Sequence, residues 1–359
     1  PTGFADLAPL IGTYGVSGFA MLFAGMIMML VIEPKRHRLI ALGMVLAGSV
    51  LVARFIGGEP LDAAPVPVRI VQPNIGQQDK WQAGFEERNF ERLARLSGSP
   101  SEGARLLLWP EAAVTDPLQD ERVHPYYQRQ AERLRRRVGG LLGPGDLLLT
   151  GGVTFQSEDG ATVSSATNSV FAIDHRGRIL GRYDKAHLVP YGEYLPARPI
   201  LSRLGLSRLA PGNVDFDPGP GPRTLTLPLA GEVGFQVCYE IIFSGEVVDP
   251  DNRPRFIFNP SNDAWFGAWG PPQHLAQARM RAIEEGLPVL RSTPTGISAV
   301  IDADGRLLHS LPWRTAGAID AMLPPAKPAT LFSRWGNALP LLFALLLAAV
   351  AIAVPRKGR

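Results

Sequence analysis

The sequence contains little cysteine, little histidine and little charge. Of its 359 residues one is cysteine and six are histidine, so an internal disulfide is excluded and no cysteine-rich metal site can form. Charged residues make up 19% of the chain, below the roughly 25% that is usual for soluble domains. The net charge of +3 is small and the arginines are scattered without interleaved aromatic residues, which argues against a nucleic-acid surface. We therefore expect no metal, no cofactor and no nucleic-acid partner.

Apolar residues are concentrated near the start of the chain. Residues 1–58 are predicted to form two transmembrane helices, at about 10–32 and 39–56, because crossing a bilayer takes about 20 predominantly apolar residues. The second helix spans the membrane only if Arg54 extends to the interface. A buried core helix is the alternative, but two Gly-rich apolar segments joined by a short charged loop are typical of a membrane hairpin.

A third apolar run, residues 336–355, is predicted to be a C-terminal transmembrane helix. The loop 33–38 and the tail 356–359 are the basic flanks of these spans, and basic flanks favour the cytoplasmic side. Residues 66–323 are then expected on the opposite side of a bacterial inner membrane, in the periplasm. Because the chain starts at Pro1, we also expect it to be the C-terminal part of a longer protein with further membrane helices upstream.

Residues 66–323 alternate short apolar runs of β type with charged, helix-like stretches. This alternation predicts an α/β fold. The last strands predicted from the pattern cover residues 297–302 and 306–310, and no internal repeat is visible.

Three reactive side chains lie at or just after predicted strands. Glu111 and Lys185 follow two of them, and Cys238 lies near the carboxyl end of a strand predicted over 232–239. In layered α/β folds, sites assemble at the ends of strands and in the loops that follow. A carboxylate, an ammonium and a thiol that meet there can transfer an acyl group, as base, oxyanion partner and nucleophile. Taken singly, each residue also has a structural interpretation, and a lone cysteine is most often a small buried apolar residue.

Several motifs resemble those of one protein superfamily. Three segments look, in chain order, like the catalytic boxes of the nitrilase superfamily, and the second is similar to that of one branch, the apolipoprotein N-acyltransferases. The flanking apolar runs resemble that branch too. The resemblance implies a four-layer αββα sandwich on the periplasmic side of the membrane. The three boxes are residues 108–112, 183–193 and 237–240, and residues 262–267, 274, 278–282 and 291–293 also resemble this branch.

The resemblance assigns roles to single residues. Glu111 matches the family's general base, Lys185 its oxyanion-stabilising lysine and Cys238 its nucleophile. Glu193 matches a second essential glutamate that holds the lysine and the substrate. By resemblance, these four residues form the centre of the predicted site.

Three further residues match the family by position. Tyr239 and Glu240 match essential residues that follow the nucleophile, and Trp81 matches a tryptophan required on the acyl-chain side. A tryptophan that closes the core is the alternative for Trp81. Pro294 stands where the family commonly has asparagine, and His187 is interpreted as structural.

The resemblance also implies a reaction and its partners. A phospholipid ester, by resemblance of phosphatidylethanolamine, would acylate Cys238, and the free α-amine of a diacylglyceryl-cysteine on an apolipoprotein would then accept the acyl group. Because both substrates are lipid-anchored, a site held at the membrane would raise their effective concentration. The triad alone leaves open a membrane-tethered amidase or nitrilase that hydrolyses a C–N bond. An inactive binding module is disfavoured because all three triad residues are present.

Overall fold

The computed structural model describes residues 3–32, 36–53, 58–62, 64–80, 84–100, 103–205, 215–265 and 267–353. Helices and strands alternate through the central part of the chain, and helices lie at both ends. The helices are α1 Ala8–Ile32, α2 Arg36–Ala53, α3 Gln77–Lys80, α4 Glu86–Ser97, α5 Pro125–Gly139, α6 Arg198–Leu201, α7 Gly270–Glu285, α8 Leu331–Trp335 and α9 Ala338–Ala353. The 3-10 turns are Gly3–Leu7, Ser202–Leu204, Cys238–Ile242 and Asp263–Trp265.

The described strands form two sheets. The strands are β1 Pro67–Gln72, β2 Leu106–Leu108, β3 Gln119–Asp120, β4 Leu147–Gln156, β5 Ser165–Asp174, β6 Ile179–Asp184, β7 Thr224–Leu227, β8 Gly231–Phe235, β9 Phe256–Pro260, β10 Val289–Ser292, β11 Ala299–Ile301, β12 Leu307–Ser310 and β13 Gly317–Met322. One sheet has the order β13-β1-β2-β4-β5-β6, with β3 paired to β4, and the other has the order β12-β11-β10-β9-β8-β7.

Strand β2 shows why the first sheet is covered on both faces. Its three leucines are all fully buried. Leu106 and Leu108 belong to the apolar core that joins the two sheets, whereas Leu107 packs in a second core with Phe90 of α4 and Val138 of α5. Because successive side chains of a strand point to opposite faces, an uninterrupted apolar strand needs cover on both sides.

The second sheet repeats this arrangement with α7. Phe256 and Phe258 of β9 lie in the core between the sheets, and Ile257 packs in a third core with Leu275 and Ala278 of α7. Burial of each such large apolar side chain stabilises the fold by about 1.5–3 kcal/mol. The layers therefore run helix, sheet, sheet, helix, which confirms the predicted four-layer αββα sandwich.

The apolar helices pack against one another beside this sandwich. Among the described residues, one helical segment, Gly3–Ile32, is long and apolar enough to cross a membrane. Helices α2 and α9 both contact α1 but contain shorter apolar stretches. Arg54 lies outside the described residues. The topology of three spans, and the domain boundaries drawn from it, stay predictions.

Helix α1 is seated on the α/β domain at a break in its own backbone. Gly12 has φ +64°, and a Cβ atom there would lie 2.1 Å from the buried ring of Phe332. The break leaves the backbone N–H of Thr13 to donate to Glu284 Oε1 at 2.5 Å, and the Thr13 hydroxyl donates to the same oxygen at 2.7 Å. Glycine is needed here both for the left-handed backbone and for the close approach.

Candidate active site

The three reactive side chains predicted from the sequence meet where the two sheets come together. Glu111 follows β2 and Lys185 follows β6 of the first sheet, and Cys238 begins the turn that follows β8 of the second. All three side chains are buried, and Lys185 Nζ lies 3.8 Å from Glu111 Oε1. The sandwich therefore brings a carboxylate, an ammonium and a thiol to one place.

Cys238 is not on a strand. The strand predicted over 232–239 ends at Phe235, and Cys238 opens a 3-10 turn with φ +52°. This left-handed conformation is uncommon for a residue with a side chain and costs of order 1 kcal/mol or more. The turn takes the thiol out of the sheet ladder and directs it towards Glu111 and Lys185, which both act on its ionisation.

The Cys238 thiol is protonated in the resting site. Burial raises the pKa of Cys238 well above its ordinary value, the negative charge of Glu111 raises it further, and the positive charge of Lys185 opposes both. A thiol must lose its proton to become a strong nucleophile. A base that removes this proton would therefore be needed for Cys238 to act as a nucleophile.

Glu193 holds the ammonium of Lys185. The Lys185 Nζ atom lies 2.9 Å from Glu193 Oε2, and it donates a hydrogen bond of 3.0 Å to Glu193 Oε1. Burial by itself lowers the pKa of Lys185, but the charges of Glu193 and Glu111 outweigh it, so the pKa lies above its ordinary value. Lys185 is therefore a fixed positive charge at neutral pH. Such a charge, desolvated and held in place, can stabilise an oxyanion.

Asn168 joins this group, and the sequence analysis did not identify it. Its side-chain nitrogen donates to Glu111 Oε1 and to Glu193 Oε1, each at 2.8 Å. Asn168 lies inside β5, and asparagine is depleted in strands. Thr167 and Ser169 on either side of it are polar too, so this polar stretch ahead of the apolar half of β5 was the available signal for a functional position.

Glu240 connects the turn of Cys238 to the loop of Lys185. Its Oε2 atom accepts from the backbone N–H of Val237 at 2.7 Å, and its Oε1 atom accepts from the backbone N–H groups of Ala186 and His187 at 2.7 and 3.1 Å. Burial raises the pKa of Glu240, while the N–H of Val237 and the charge of Lys185 act in the opposite direction. Glu240 therefore fixes the distance between two segments that carry site residues.

The remaining predicted residues make other contacts or lie outside the described residues. The Tyr239 ring packs edge-on against Phe243 at 5.0 Å between centroids, and Phe243 stacks on His187. His187 also lies 3.5 Å from Glu246, and its structural interpretation stays a prediction. Trp81 lies outside the described residues.

A cavity of 260 Å³ lies next to Glu111 on the side of α4 and α5. Phe90 and Pro294 contribute to its wall, whereas Lys185 and Cys238 are not part of its lining. Pro294 replaces an asparagine that is common at this position in the family that the sequence resembles. It shares this cavity with Glu111 but not with Lys185 or Cys238. Within the described part of the chain, no group of three or more His, Cys, Asp or Glu side chains could hold a metal ion.

Known proteins share both sequence and fold with this chain. The apolipoprotein N-acyltransferase of Bradyrhizobium diazoefficiens is 36% identical over 353 residues, which cover 94% of this chain and 64% of the relative. The enzyme of the same name from Caulobacter vibrioides is 35% identical over 350 residues, which cover 93% and 63%. The chain thus spans somewhat less than two thirds of the length of these relatives.

Among solved structures, an amidase from Nesterenkonia sp. superposes with a TM-score of 0.51 at 17% identity, over 80% of this chain and 99% of that one. A Saccharomyces cerevisiae member of branch 10 of the nitrilase superfamily superposes with a TM-score of 0.51 at 16% identity, over 84% and 99%. These likenesses agree with the four-layer fold. The sequence profile described as carbon-nitrogen hydrolase matches residues 67–328, which include the whole cluster around Cys238. The chain therefore belongs to the carbon-nitrogen hydrolase family.

Proposed function

We propose that this chain is the catalytic part of an apolipoprotein N-acyltransferase. The observation that carries the proposal is the buried group of Glu111, Lys185 and Cys238, whose charges act on the thiol, in a domain that is seated on an apolar helix through Thr13 and Glu284. The names of the relatives support the same activity.

The first half-reaction forms a thioester on Cys238. Glu111 accepts the proton of the thiol, and the sulfur attacks the carbonyl carbon of a phospholipid ester. The Lys185 ammonium stabilises the oxyanion that develops. The carbon–oxygen bond then breaks, and the leaving alkoxide takes the proton from Glu111, so the products are a lysophospholipid and acylated Cys238. Phosphatidylethanolamine is the donor we propose.

The second half-reaction moves the acyl group to nitrogen. The α-amine of a diacylglyceryl-cysteine attacks the thioester carbonyl, and the carbon–sulfur bond breaks. Glu111 takes a proton from the attacking amine and returns it to the sulfur. The product is an amide on the lipoprotein, and the Cys238 thiol is restored. Exclusion of water from the buried site favours this transfer over hydrolysis.

The contact between helix α1 and the α/β domain supports the membrane-facing part of the proposal. Helix α1 rests on α7, the helix that packs behind β9, so a site near this junction would lie close to a bilayer that contains α1. We propose that α1, α2 and α9 cross the inner membrane and that the α/β domain faces the periplasm. Lipid-anchored donor and acceptor would then reach the site without leaving the membrane.

Labelled phospholipid tests the proposal directly. The full chain in phosphatidylethanolamine vesicles is expected to gain one labelled acyl group on Cys238, seen by mass spectrometry, and to pass it to a diacylglyceryl-cysteine peptide. Cys238→Ala is expected to fold normally and to gain no label, because a small thiol leaves little cavity when truncated. Phosphatidylglycerol vesicles test the headgroup. Release of free fatty acid without N-acyl product would favour the hydrolase alternative, and substantial turnover by Cys238→Ala would exclude the thioester mechanism.

A further inference from the structure

One helix contacts both ends of the turn that carries Cys238. His274 and Arg281 of α7 are seven residues apart, which places them on the same face of the helix two turns apart. His274 lies against the carbonyl of Cys238 at the start of the turn, and Arg281 Nη1 donates to the carbonyl of Ile242 at its end. Both side chains are buried.

The contact of His274 with Cys238 requires a proton on one particular ring nitrogen. His274 Nε2 lies 3.0 Å from the Cys238 carbonyl oxygen, and a carbonyl can only accept, so Nε2–H is the donor. The other nitrogen, Nδ1, lies 2.8 Å from Asp263 Oδ1 and 3.0 Å from Arg291 Nη2. It can accept from Arg291 when the ring is neutral and donate to Asp263 when the ring is charged. The bond to Cys238 is therefore kept in both states.

A buried ion pair orients the ring. Arg291 Nη2 donates to Asp263 Oδ1 and Oδ2 at 2.9 and 2.8 Å, and neither side chain is exposed. Burial would raise the pKa of Asp263, but Arg291 and His274 outweigh it and lower the pKa to about 2. Asp263 also follows Asn262, whose backbone N–H acts to lower the pKa of the Cys238 thiol. The same segment thus orients His274 and acts on the ionisation of the sulfur.

The far end of the turn is tied to the apolar helix. Arg281 Nε lies 2.7 Å from Glu284 Oε2, and Arg281 also donates to the hydroxyl of Thr13. Ser244, just beyond the turn, donates to Glu284 Oε1 at 2.8 Å. The end of the Cys238 turn, helix α7 and helix α1 are therefore joined by one set of hydrogen bonds and ion pairs.

We propose that His274 is a positioning residue for Cys238, which holds the carbonyl of the left-handed residue so that the thiol stays aimed at Glu111 and Lys185. The proposal rests on the proposed role of Cys238 as nucleophile. The left-handed backbone of Cys238 is unfavourable for a residue with a side chain, so surrounding contacts must hold it. The hydrogen bond from the His274 side chain to the Cys238 carbonyl is such a contact. Arg281 secures the other end of the same turn.

Two amide variants separate this role from a general structural one. A Gln side chain at position 274 can place its nitrogen near the position of Nε2, whereas an Asn side chain reaches only the position of Nδ1. Acylation of Cys238 by labelled phosphatidylethanolamine is expected to stay within about threefold of wild type in His274→Gln and to fall by about 10- to 100-fold in His274→Asn. The donor concentration at half-saturation is expected to change little. Both variants bury the same amide group, so we expect the same melting temperature for the two.

Alkylation of Cys238 by iodoacetamide, followed across pH, gives a second measurement that needs no lipid. His274→Asn is expected to change the pH profile and His274→Gln to keep it. If wild-type protein is not acylated by phospholipid while alkylation still separates the two variants, the proposed function fails and the positioning role stands. Equal behaviour of both variants in both assays, or an Asn variant that unfolds where the Gln variant folds, would overturn the positioning role.

Discussion

The side-chain nitrogen of Asn168 donates a hydrogen bond of 2.8 Å to Glu111 Oε1. The same nitrogen lies equally close to Glu193, so a neutral amide joins the proposed base to the carboxylate that holds Lys185. Lys185 is nearer to Glu193, at 2.9 Å, than to Glu111, at 3.8 Å. The ammonium is therefore held mainly by Glu193, which leaves Glu111 better placed to take up a proton.

Replacement of Asn168 by leucine tests this arrangement. Leucine has a similar volume but no donor, so the two carboxylates lose their shared partner. We expect acylation of Cys238 to fall by about 10- to 1,000-fold, as for loss of one preorganised donor in an active site. Asn252→Leu, at an exposed position, is the control and is expected to acylate normally. A rate in Asn168→Leu equal to that of the control would contradict the bridging role.

Replacement of Glu111 and replacement of Glu193 are expected to affect the reaction in different ways. Glu111→Gln removes the proposed base, so acylation of Cys238 is expected to fall by about 10²- to 10⁴-fold. The same change removes a negative charge that raises the pKa of Cys238, so alkylation of the thiol is expected to move to lower pH. Glu193→Gln is expected to leave the thiol reactive but to weaken both half-reactions through Lys185.

Pre-steady-state acylation and alkylation across pH measure the two effects separately. Glu193→Gln serves as the matched control for Glu111→Gln, since each change exchanges one oxygen for an amide. If Glu111→Gln behaves as wild type in both assays and Glu193→Gln eliminates both, the role of base passes to Glu193.

Glu285 is expected to make the free energy of unfolding depend on pH. Burial raises the pKa of Glu285 to about 7, and the neighbouring charge of Glu284 adds to this, while a hydrogen bond with Ser333 opposes it. A carboxyl whose pKa is raised by folding stabilises the native state below its unfolded pKa, and this stability is lost as pH rises through the folded value. We expect the free energy of unfolding in detergent to fall between pH 5 and about pH 8, by an amount on the order of 3 kcal/mol. Glu285→Gln is expected to flatten this slope, and an equal slope in the variant would rule the assignment out.

A reporter that is active only after export tests the orientation of the domain. Fusion after Gly267 is expected to give activity, because both basic flanks, 33–38 and 356–359, are predicted to be cytoplasmic. Fusion after Arg359 is the control and is expected to be inactive. Activity in the reverse pattern would place the domain in the cytoplasm and exclude the proposed substrates.

The alternation of apolar and charged stretches predicted an α/β fold, and the resemblance to the nitrilase superfamily predicted its four layers. The strand predicted over 297–302 contains β11, because a short apolar run that is buried can be recognised from the local sequence. Strand β13 was not predicted. It pairs antiparallel with β1, with Ile70 opposite Ile319, some 250 residues away along the chain. The side chains of β13 are partly exposed and show no regular alternation, so the local sequence does not indicate a strand that pairs with β1.

By itself the sequence determined the α/β layering, the apolar ends and the identity of Glu111, Lys185, Cys238 and Glu193 as candidates, because each of the four lies in a segment that resembles a catalytic box of the nitrilase superfamily. Only the tertiary structure decided how these groups are held. Asn168 reaches Glu111 across 57 positions, and Thr13 reaches Glu284 across 271. Such contacts depend on where two distant segments meet in the packed domain, and a polar side chain leaves no periodic signal that names its partner.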